Sequence, residues 1–160
     1  MSDYKPHNLP KLMVAPNGSR RMKRDHKHIP MSINEICITA RKCFLAGAGA
    51  IHFHVRNEKG FHVLDSGLYK EALAELSLIV PKMHLQITTE AIGIYSPEQM
   101  RNLIYNVDTP GISIGIKEMI PSGNPTNEDI NSTDFRNYIG DILVEVMEEQ
   151  LKNGKIIFNE

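Results

Sequence analysis

The sequence has no excess of charge of either sign and few cysteines. Its 18 lysines and arginines stand against 19 aspartates and glutamates, so the net charge is −1 at pH 7. Such a balance gives no general attraction for nucleic acid or for an anionic membrane, and any charged partner must be bound locally. The two cysteines, Cys37 and Cys43, lie in a predicted helix about 120° apart around its axis, and are poorly placed to bond to each other.

Long apolar segments are also missing. The sequence contains neither the N-terminal apolar region of a secretory signal nor a run near the roughly 20 apolar residues that a membrane span requires. We therefore expect a cytoplasmic protein without a membrane span. Internal repeats and low-complexity segments are absent as well, and 160 residues with 41% hydrophobic and 23% charged residues are typical of one globular domain.

Apolar runs alternate with amphipathic segments along the chain. After a polar lead-in over residues 1–10, five strand-like runs are separated by four segments with helical periodicity. The order βαβαβαβαβ predicts an α/β fold with a parallel sheet. The pattern alone leaves both an open doubly wound sheet and a closed barrel possible. An eight-stranded barrel takes about 250 residues, so five βα units would form an incomplete one.

The most informative segment lies in the second predicted strand, where His52, His54 and Arg56 occupy alternate positions. Side chains alternate between the two faces of a strand, so these three share one face and the intervening apolar residues fill the other. Two neutral imidazoles at this spacing can chelate one divalent cation, and the guanidinium suits a carboxylate. The alternative is a pair of hydrogen-bonded core histidines.

A metal site requires a third ligand, and polar residues follow the carboxyl ends of the other strands, where ligands bind in parallel α/β folds. Glu90 and Glu118 are weak candidates, since each is also typical of a salt bridge or a solvated position. The basic loop 20–24 could hold a phosphorylated or carboxylated substrate, or could be a solvated surface loop. Thr88 and Thr89 could donate hydrogen bonds to a carboxylate, although threonine is also simply a good strand residue. No aromatic residues interleave with the basic loop, which disfavours nucleic acid as a partner.

Four segments together resemble the β-keto acid cleavage enzymes, a family that includes the 3-keto-5-aminohexanoate cleavage enzyme of lysine fermentation. The segments are residues 14–21, 52–56, 86–91 and 95–99. The first departs from the family's pattern, which normally has threonine where Asn17 stands and alanine where Ser19 stands. The second, His-Phe-His-Val-Arg, is the most specific.

The resemblance implies a (β/α)8 TIM barrel that holds a divalent metal, usually Zn²⁺, on His52 and His54 and on a glutamate from a late strand. It implies the conversion of a β-keto acid and acetyl-CoA into acetoacetate and a new CoA thioester. By the same resemblance Thr88 would contact the carboxylate of the keto acid. From their chemistry and their place after the strands, Arg56, Arg20 and Asn17 are further candidates for substrate binding. The catalytic base is not identified.

The sequence ends at its fifth predicted strand, before the family segment with the glutamate ligand, an adjacent aspartate and a substrate-binding arginine. We therefore expect residues 1–160 to form a single incomplete TIM-barrel domain of about five βα units. We expect the chain to be a truncated enzyme homologue that is inactive on its own. We also expect association with a second copy or with a complementing C-terminal fragment. Two other interpretations stay open: a non-catalytic remnant that binds metal or a partner chain, and another metal-dependent aldolase or hydrolase barrel.

Overall fold

The computed structural model describes residues 10–115, in which strands and helices alternate. The elements in chain order are β1 (Met13–Val14), α1 (Ile33–Leu45), β2 (Ala50–His52), α2 (Ser66–Ile79), β3 (His84–Thr88), α3 (Pro97–Asn106) and β4 (Ile112–Ser113). They follow the predicted order, and each strand is shorter than its apolar run. The helix and fifth strand predicted for the last part of the chain, together with Glu118, lie outside the described residues.

The four strands form one sheet in the order β1-β2-β3-β4, and every pairing is parallel. In the central pair, His52 lies opposite Gln86. This confirms the predicted α/β class and parallel sheet for this part of the chain. Strands that neighbour in space in the order of the sequence are compatible with a partial TIM barrel.

The core lies between the sheet and the helices, and it contains the apolar residues that alternate with the histidines. Ile51, Phe53 and Val55 are all buried, as the strand periodicity predicts. They belong to a cluster that also includes Ile36 of α1 and Leu76 of α2. Within residues 10–115, no helix combines the length and apolar character needed to cross a bilayer.

Both cysteines are free thiols, as their spacing predicts. Cys37 is buried on the inner face of α1, and burial is the main cause that raises the pKa of its thiol. Cys43, nearer the end of the same helix, is half-buried. The core therefore uses Cys37 as a small apolar residue.

Helix α1 begins with the capping box that the sequence predicts. The Ser32 hydroxyl accepts a hydrogen bond from the Glu35 main-chain N–H, and the Glu35 carboxylate accepts one from the Ser32 main-chain N–H. Ser96 and Gln99 form the equivalent pair at the start of α3, with Pro97 as its first residue. These contacts pair amide groups that a helix leaves without internal partners.

Replacing Ser32 by alanine is expected to lower the free energy of unfolding by about 1 kcal/mol, because one amide of the first turn loses its acceptor. Urea unfolding followed by circular dichroism measures this. Ser77→Ala is the matched control: Ser77 is exposed inside α2, where alanine is the better helix former, so this change should be neutral or slightly stabilising. Equal losses in both variants would contradict a capping role for Ser32.

The contacts of Glu35 also predict a dependence of stability on pH. The pKa of Glu35 is lowered from its ordinary value of 4.5, first by the hydrogen bond from Lys23 and then by the main-chain N–H of Met31. A lowered folded pKa means that this stabilisation is present above the unfolded pKa and is lost as the pH falls through the folded pKa. The stability difference between the wild type and Glu35→Gln should therefore shrink between about pH 7 and about pH 3. A difference that stays constant over this range would contradict the prediction.

Candidate metal and substrate site

The predicted functional side chains of the described residues gather at the carboxyl ends of β1, β2 and β3. His52 is the last residue of β2, and Thr88 is the last residue of β3. Two residues beyond each strand lie His54 and Glu90, whose side chains contact each other. The loop after β1 brings Asn17 to the same place, whereas Arg20 of that loop is exposed. The structure therefore places one group of polar side chains at this edge of the sheet.

The two imidazoles lie side by side, with ring centroids 5.0 Å apart and an angle of 76° between the ring planes. His52 Nδ1 lies 2.9 Å from Gln86 Oε1, and His54 Nε2 lies 2.9 Å from Glu90 Oε2. An ionised carboxylate can only accept, so the contact with Glu90 assigns the ring proton of His54 to Nε2 and its lone pair to Nδ1. With the Gln86 oxygen as acceptor, the equivalent assignment for His52 is a proton on Nδ1 and a lone pair on Nε2. His54 Nδ1 is buried and has no hydrogen-bond partner.

His54 is held in its neutral form. Burial is the main cause that lowers its pKa from 6.5 to about 4, and the nearby rings of His62 and His52 lower it further, while the hydrogen bond to Glu90 opposes them. A neutral imidazole is the form that binds a metal ion, because a proton and a metal compete for the same lone pair. At physiological pH, His54 needs to lose no proton before it can act as a ligand.

Glu90 is ordered by hydrogen bonds to its side chain and to its main chain. Its Oε1 accepts from the Ser19 hydroxyl at 2.7 Å, and its main-chain N–H donates to Thr88 Oγ1 at 3.1 Å. Its carbonyl oxygen accepts from His62 Nε2 at 2.9 Å. Partial burial acts to raise the pKa of Glu90, but the hydrogen bonds from Ser19 and His54 outweigh it and leave the pKa lowered. Glu90 is therefore an anion fixed beside His54.

The donors fit a divalent metal in type. Histidines that bind metals usually donate their other ring N–H to a carboxylate or to another oxygen, as His52 and His54 do here. Within residues 10–115, no three histidine, cysteine, aspartate or glutamate side chains form a group that could hold an ion. Further ligands would come from outside these residues or from water and substrate.

Asn17 continues the sheet by its side chain at the point where the β1–β2 ladder ends. Its Oδ1 accepts from the main-chain N–H of His54 at 3.0 Å, and its Nδ2 donates to the carbonyls of His54 at 2.9 Å and of Pro30 at 3.0 Å. The buried amide thus binds the main chain of His54 on both sides. Its predicted contact with substrate stays a prediction.

Arg56 is buried and directed at the loop after β1. Its Nη atoms donate to four main-chain carbonyls: Gly60 at 2.8 Å, Arg21 at 2.9 Å, Ser19 at 3.4 Å and Gly18. The Nε atom is buried without a hydrogen-bond partner. Its predicted role as the holder of a substrate carboxylate stays a prediction, while the geometry shows a side chain that binds the loop to the extension of β2.

The two threonines at the end of β3 differ in their contacts. Thr88 lies two residues after Gln86, so both side chains are on the face of the sheet that carries His52. Its hydroxyl accepts from Glu90 and keeps its own proton for donation. Thr89 donates to the Ser113 carbonyl at 3.4 Å and accepts from the Gly115 N–H at 3.2 Å, and so fixes the end of β4.

Sequence reasoning missed two residues of this group, Ser19 and His62. His62 pairs with Arg56 across a tight turn in which Gly60 has a φ of +81°, and its ring lies 5.0 Å from that of His54. The segment from Asn57 to Gly60 could have predicted the position of His62. Asparagine and glycine at this spacing are typical of a turn, and such a turn brings His62 back beside the strand. The contact of Ser19 with Glu90 could not be predicted in this way, because the two residues lie 71 positions apart in the sequence.

A parallel sheet whose strands alternate with helices, with two imidazoles at its carboxyl edge, defines a parallel α/β protein with a candidate metal centre. Residues 11–154 match the family model of the beta-keto acid cleavage enzymes, and the chain belongs to this family. The resemblance that the sequence motifs indicated is thereby confirmed.

Two curated relatives agree with this assignment. The chain is 23% identical to the 3-keto-5-aminohexanoate cleavage enzyme of Acetoanaerobium sticklandii over 105 residues, which cover 65% of this chain and 38% of that protein. It is 28% identical to the 3-oxoadipate:acetyl-CoA acetyltransferase of Cupriavidus necator over 78 residues, which cover 49% of this chain and 28% of that protein. The chain thus spans well under half of the length of these relatives.

Proposed function

We propose that this chain supplies the metal-binding part of an enzyme that converts a β-keto acid and acetyl-CoA into acetoacetate and a new CoA thioester. The observation that carries the proposal is the pair His52 and His54 at the carboxyl edge of the sheet. Each has one ring nitrogen held by an oxygen acceptor. Family membership and the names of the two relatives support the reaction class.

His52 and His54 would hold a divalent ion, and Zn²⁺ suits two imidazole donors. When bound, such an ion supplies Lewis-acid polarisation of the keto acid's oxygens. Thr88 would donate its free hydroxyl proton to the substrate carboxylate, since it lies on the same face of the sheet as His52. Arg20, exposed on the loop after β1, would attract the anionic substrates from solvent.

The four strands would be the first part of a (β/α)8 barrel. Eight parallel strands close such a barrel, so the described sheet needs further strands, from the rest of this polypeptide or from another chain. A second copy or a complementing C-terminal fragment is the partner that we propose. The third metal ligand would come with those strands or, within this chain, from Glu90 or Glu118.

The test is an assay for acetoacetate. The purified chain is incubated with Zn²⁺, acetyl-CoA and either 3-oxoadipate or 3-keto-5-aminohexanoate, the compounds named by the relatives. When a complementing C-terminal fragment supplies the further strands, we expect acetoacetate that depends on both acetyl-CoA and metal and that disappears in a chain carrying both His52→Ala and His54→Ala. A chain that binds zinc but yields no acetoacetate from any β-keto acid supplied would reject catalysis by this chain.

A further inference from the structure

The hydrogen bonds of Glu90 are not those expected of a metal ligand, whose carboxylate oxygens would be directed at the ion. Both of its carboxylate oxygens already accept hydrogen bonds, Oε1 from Ser19 at 2.7 Å and Oε2 from His54 at 2.9 Å. An ionised carboxylate that accepts from a ring N–H forms one of the stronger hydrogen bonds in proteins. The contact therefore fixes both the orientation of the His54 ring and the nitrogen that carries its proton.

The consequence appears at the opposite side of the ring. With the proton on Nε2, the lone pair of His54 is on Nδ1, which is buried and without a hydrogen-bond partner. The His54 side chain as a whole is 4% exposed. An unpaired acceptor in such a position costs free energy, and a ligand that takes the lone pair recovers it.

The main chain of Glu90 is held by two further hydrogen bonds. His62 Nε2 donates to the Glu90 carbonyl at 2.9 Å, and Thr88 Oγ1 accepts from the Glu90 N–H at 3.1 Å. Arg56 Nη1 donates a hydrogen bond to the main-chain carbonyl of Ser19 at 3.4 Å, which holds the loop after β1 in place. The three segments after β1, β2 and β3 thus converge on one carboxylate.

We propose that Glu90, held by Ser19, is a positioning residue that sets the tautomer and orientation of His54 so that its Nδ1 lone pair is presented to a divalent cation. This inference rests on the proposed function for the identity of the ligand. Of the sources of a third ligand named above, it removes Glu90, which becomes a hydrogen-bonded support of the site, and it leaves Glu118 and the further strands. Removing such a support from a metal-binding histidine weakens metal affinity by about 10- to 100-fold.

The first arm of the test uses the metal-free full chain labelled with ¹⁵N-histidine, in which NMR reads the proton on each ring nitrogen. We expect the His54 signal, assigned by its loss in His54→Ala, to show a proton on Nε2 and a lone pair on Nδ1. In Glu90→Gln the Nε2 proton resonance should shift or disappear. The control is Glu58→Gln, since Glu58 is exposed, and its spectrum should match the wild type.

The second arm measures Zn²⁺ affinity by competition with a coloured chelator. Glu90→Gln should bind about 10- to 100-fold more weakly than the wild type, and Glu58→Gln should bind equally well. Ser19→Ala should weaken binding less, and it should have no further effect when Glu90 is already glutamine, because it acts only through that carboxylate. Circular dichroism confirms that each variant is folded.

The outcomes separate the two proposals. An unchanged His54 signal or unchanged zinc affinity in Glu90→Gln overturns the positioning role. Loss of the Nε2 proton when zinc is added to the wild type also overturns it, because that carboxylate contact would then be broken on metal binding. A wild-type chain that shows the Nε2 proton but binds no zinc would contradict the proposed metal function. The effect of Glu90 on the His54 ring would be unaffected by that result.

Discussion

Replacing Arg56 by alanine is expected to lower the free energy of unfolding by about 3 kcal/mol. The guanidinium is buried, and it donates to the main-chain carbonyls of Gly18, Ser19, Arg21 and Gly60. Hydrogen bonds from a charged donor contribute more than neutral ones, and truncation leaves buried carbonyls without partners. Urea unfolding monitored by circular dichroism measures the loss. Lysine at this position should restore less than half of it, since a single ammonium cannot span these acceptors.

Arg21→Ala is the matched control for this change. Its side chain is 77% exposed and forms an ion pair with Asp25 at 3.8 Å, so its removal should cost about 0–1 kcal/mol. If Arg56→Ala were no more destabilising than Arg21→Ala, the contacts with the loop would not sustain the fold. An unchanged stability together with a raised KM would instead favour the substrate-binding role that the sequence suggests for Arg56.

Replacing His54 or His52 by alanine is expected to weaken zinc binding on the order of 100-fold or more. The reason is that removing a ligand costs at least as much as removing the hydrogen-bonded support of one, which weakens affinity by about 10- to 100-fold. Competition with a chelator gives the affinity, and the zinc content of the purified chain gives an independent measure. The effect should be seen in either single variant.

The chain offers its own control in His26 and His28, a second pair of histidines with one residue between them. Both are exposed, and their ring centroids lie 5.5 Å apart on the loop before α1. His26→Ala should leave zinc affinity unchanged, because exposed imidazoles without ordered oxygen partners are not fixed as ligands. Equal losses in His26→Ala and His54→Ala would show that spacing alone, and not the sheet edge, determines the binding.

The order of the strands and helices could be predicted because each element has a sequence pattern formed by residues close together in the chain. Period-2 alternation marked the strand around Phe53, and the S-x-x-E and S-P-x-Q motifs at Ser32 and Ser96 marked the helix starts. These signals come from residues within one turn or one strand of each other. The structure confirms them over the described part of the chain, with strands that are shorter than the apolar runs.

The contacts of the site were harder to predict, because they join residues far apart in the sequence. β2 ends at His52, and two residues later the side-chain amide of Asn17, 37 residues away in the sequence, binds the main chain of His54. Ser19 reaches Glu90 across 71 residues. The hydrophobic periodicity of the sequence does not indicate contacts between residues so far apart, because these residues meet only in the folded chain. The residues that could be proposed from sequence alone were those whose chemistry is unusual for their position, above all the two histidines.

The way in which Arg56 holds the loop after β1 has a consequence for how the protein could change. All four of its contacts are with main-chain oxygens, which every amino acid provides. Side chains at residues 20, 21, 23 and 24 are exposed, so they are open to replacement without loss of the anchorage. If this loop binds anionic substrates as proposed, a randomised library confined to those positions should change the selectivity between such compounds while the contacts of Arg56 are kept. Arg56 thus fixes the main chain of the loop, whereas the exposed side chains on the loop are free to vary during evolution.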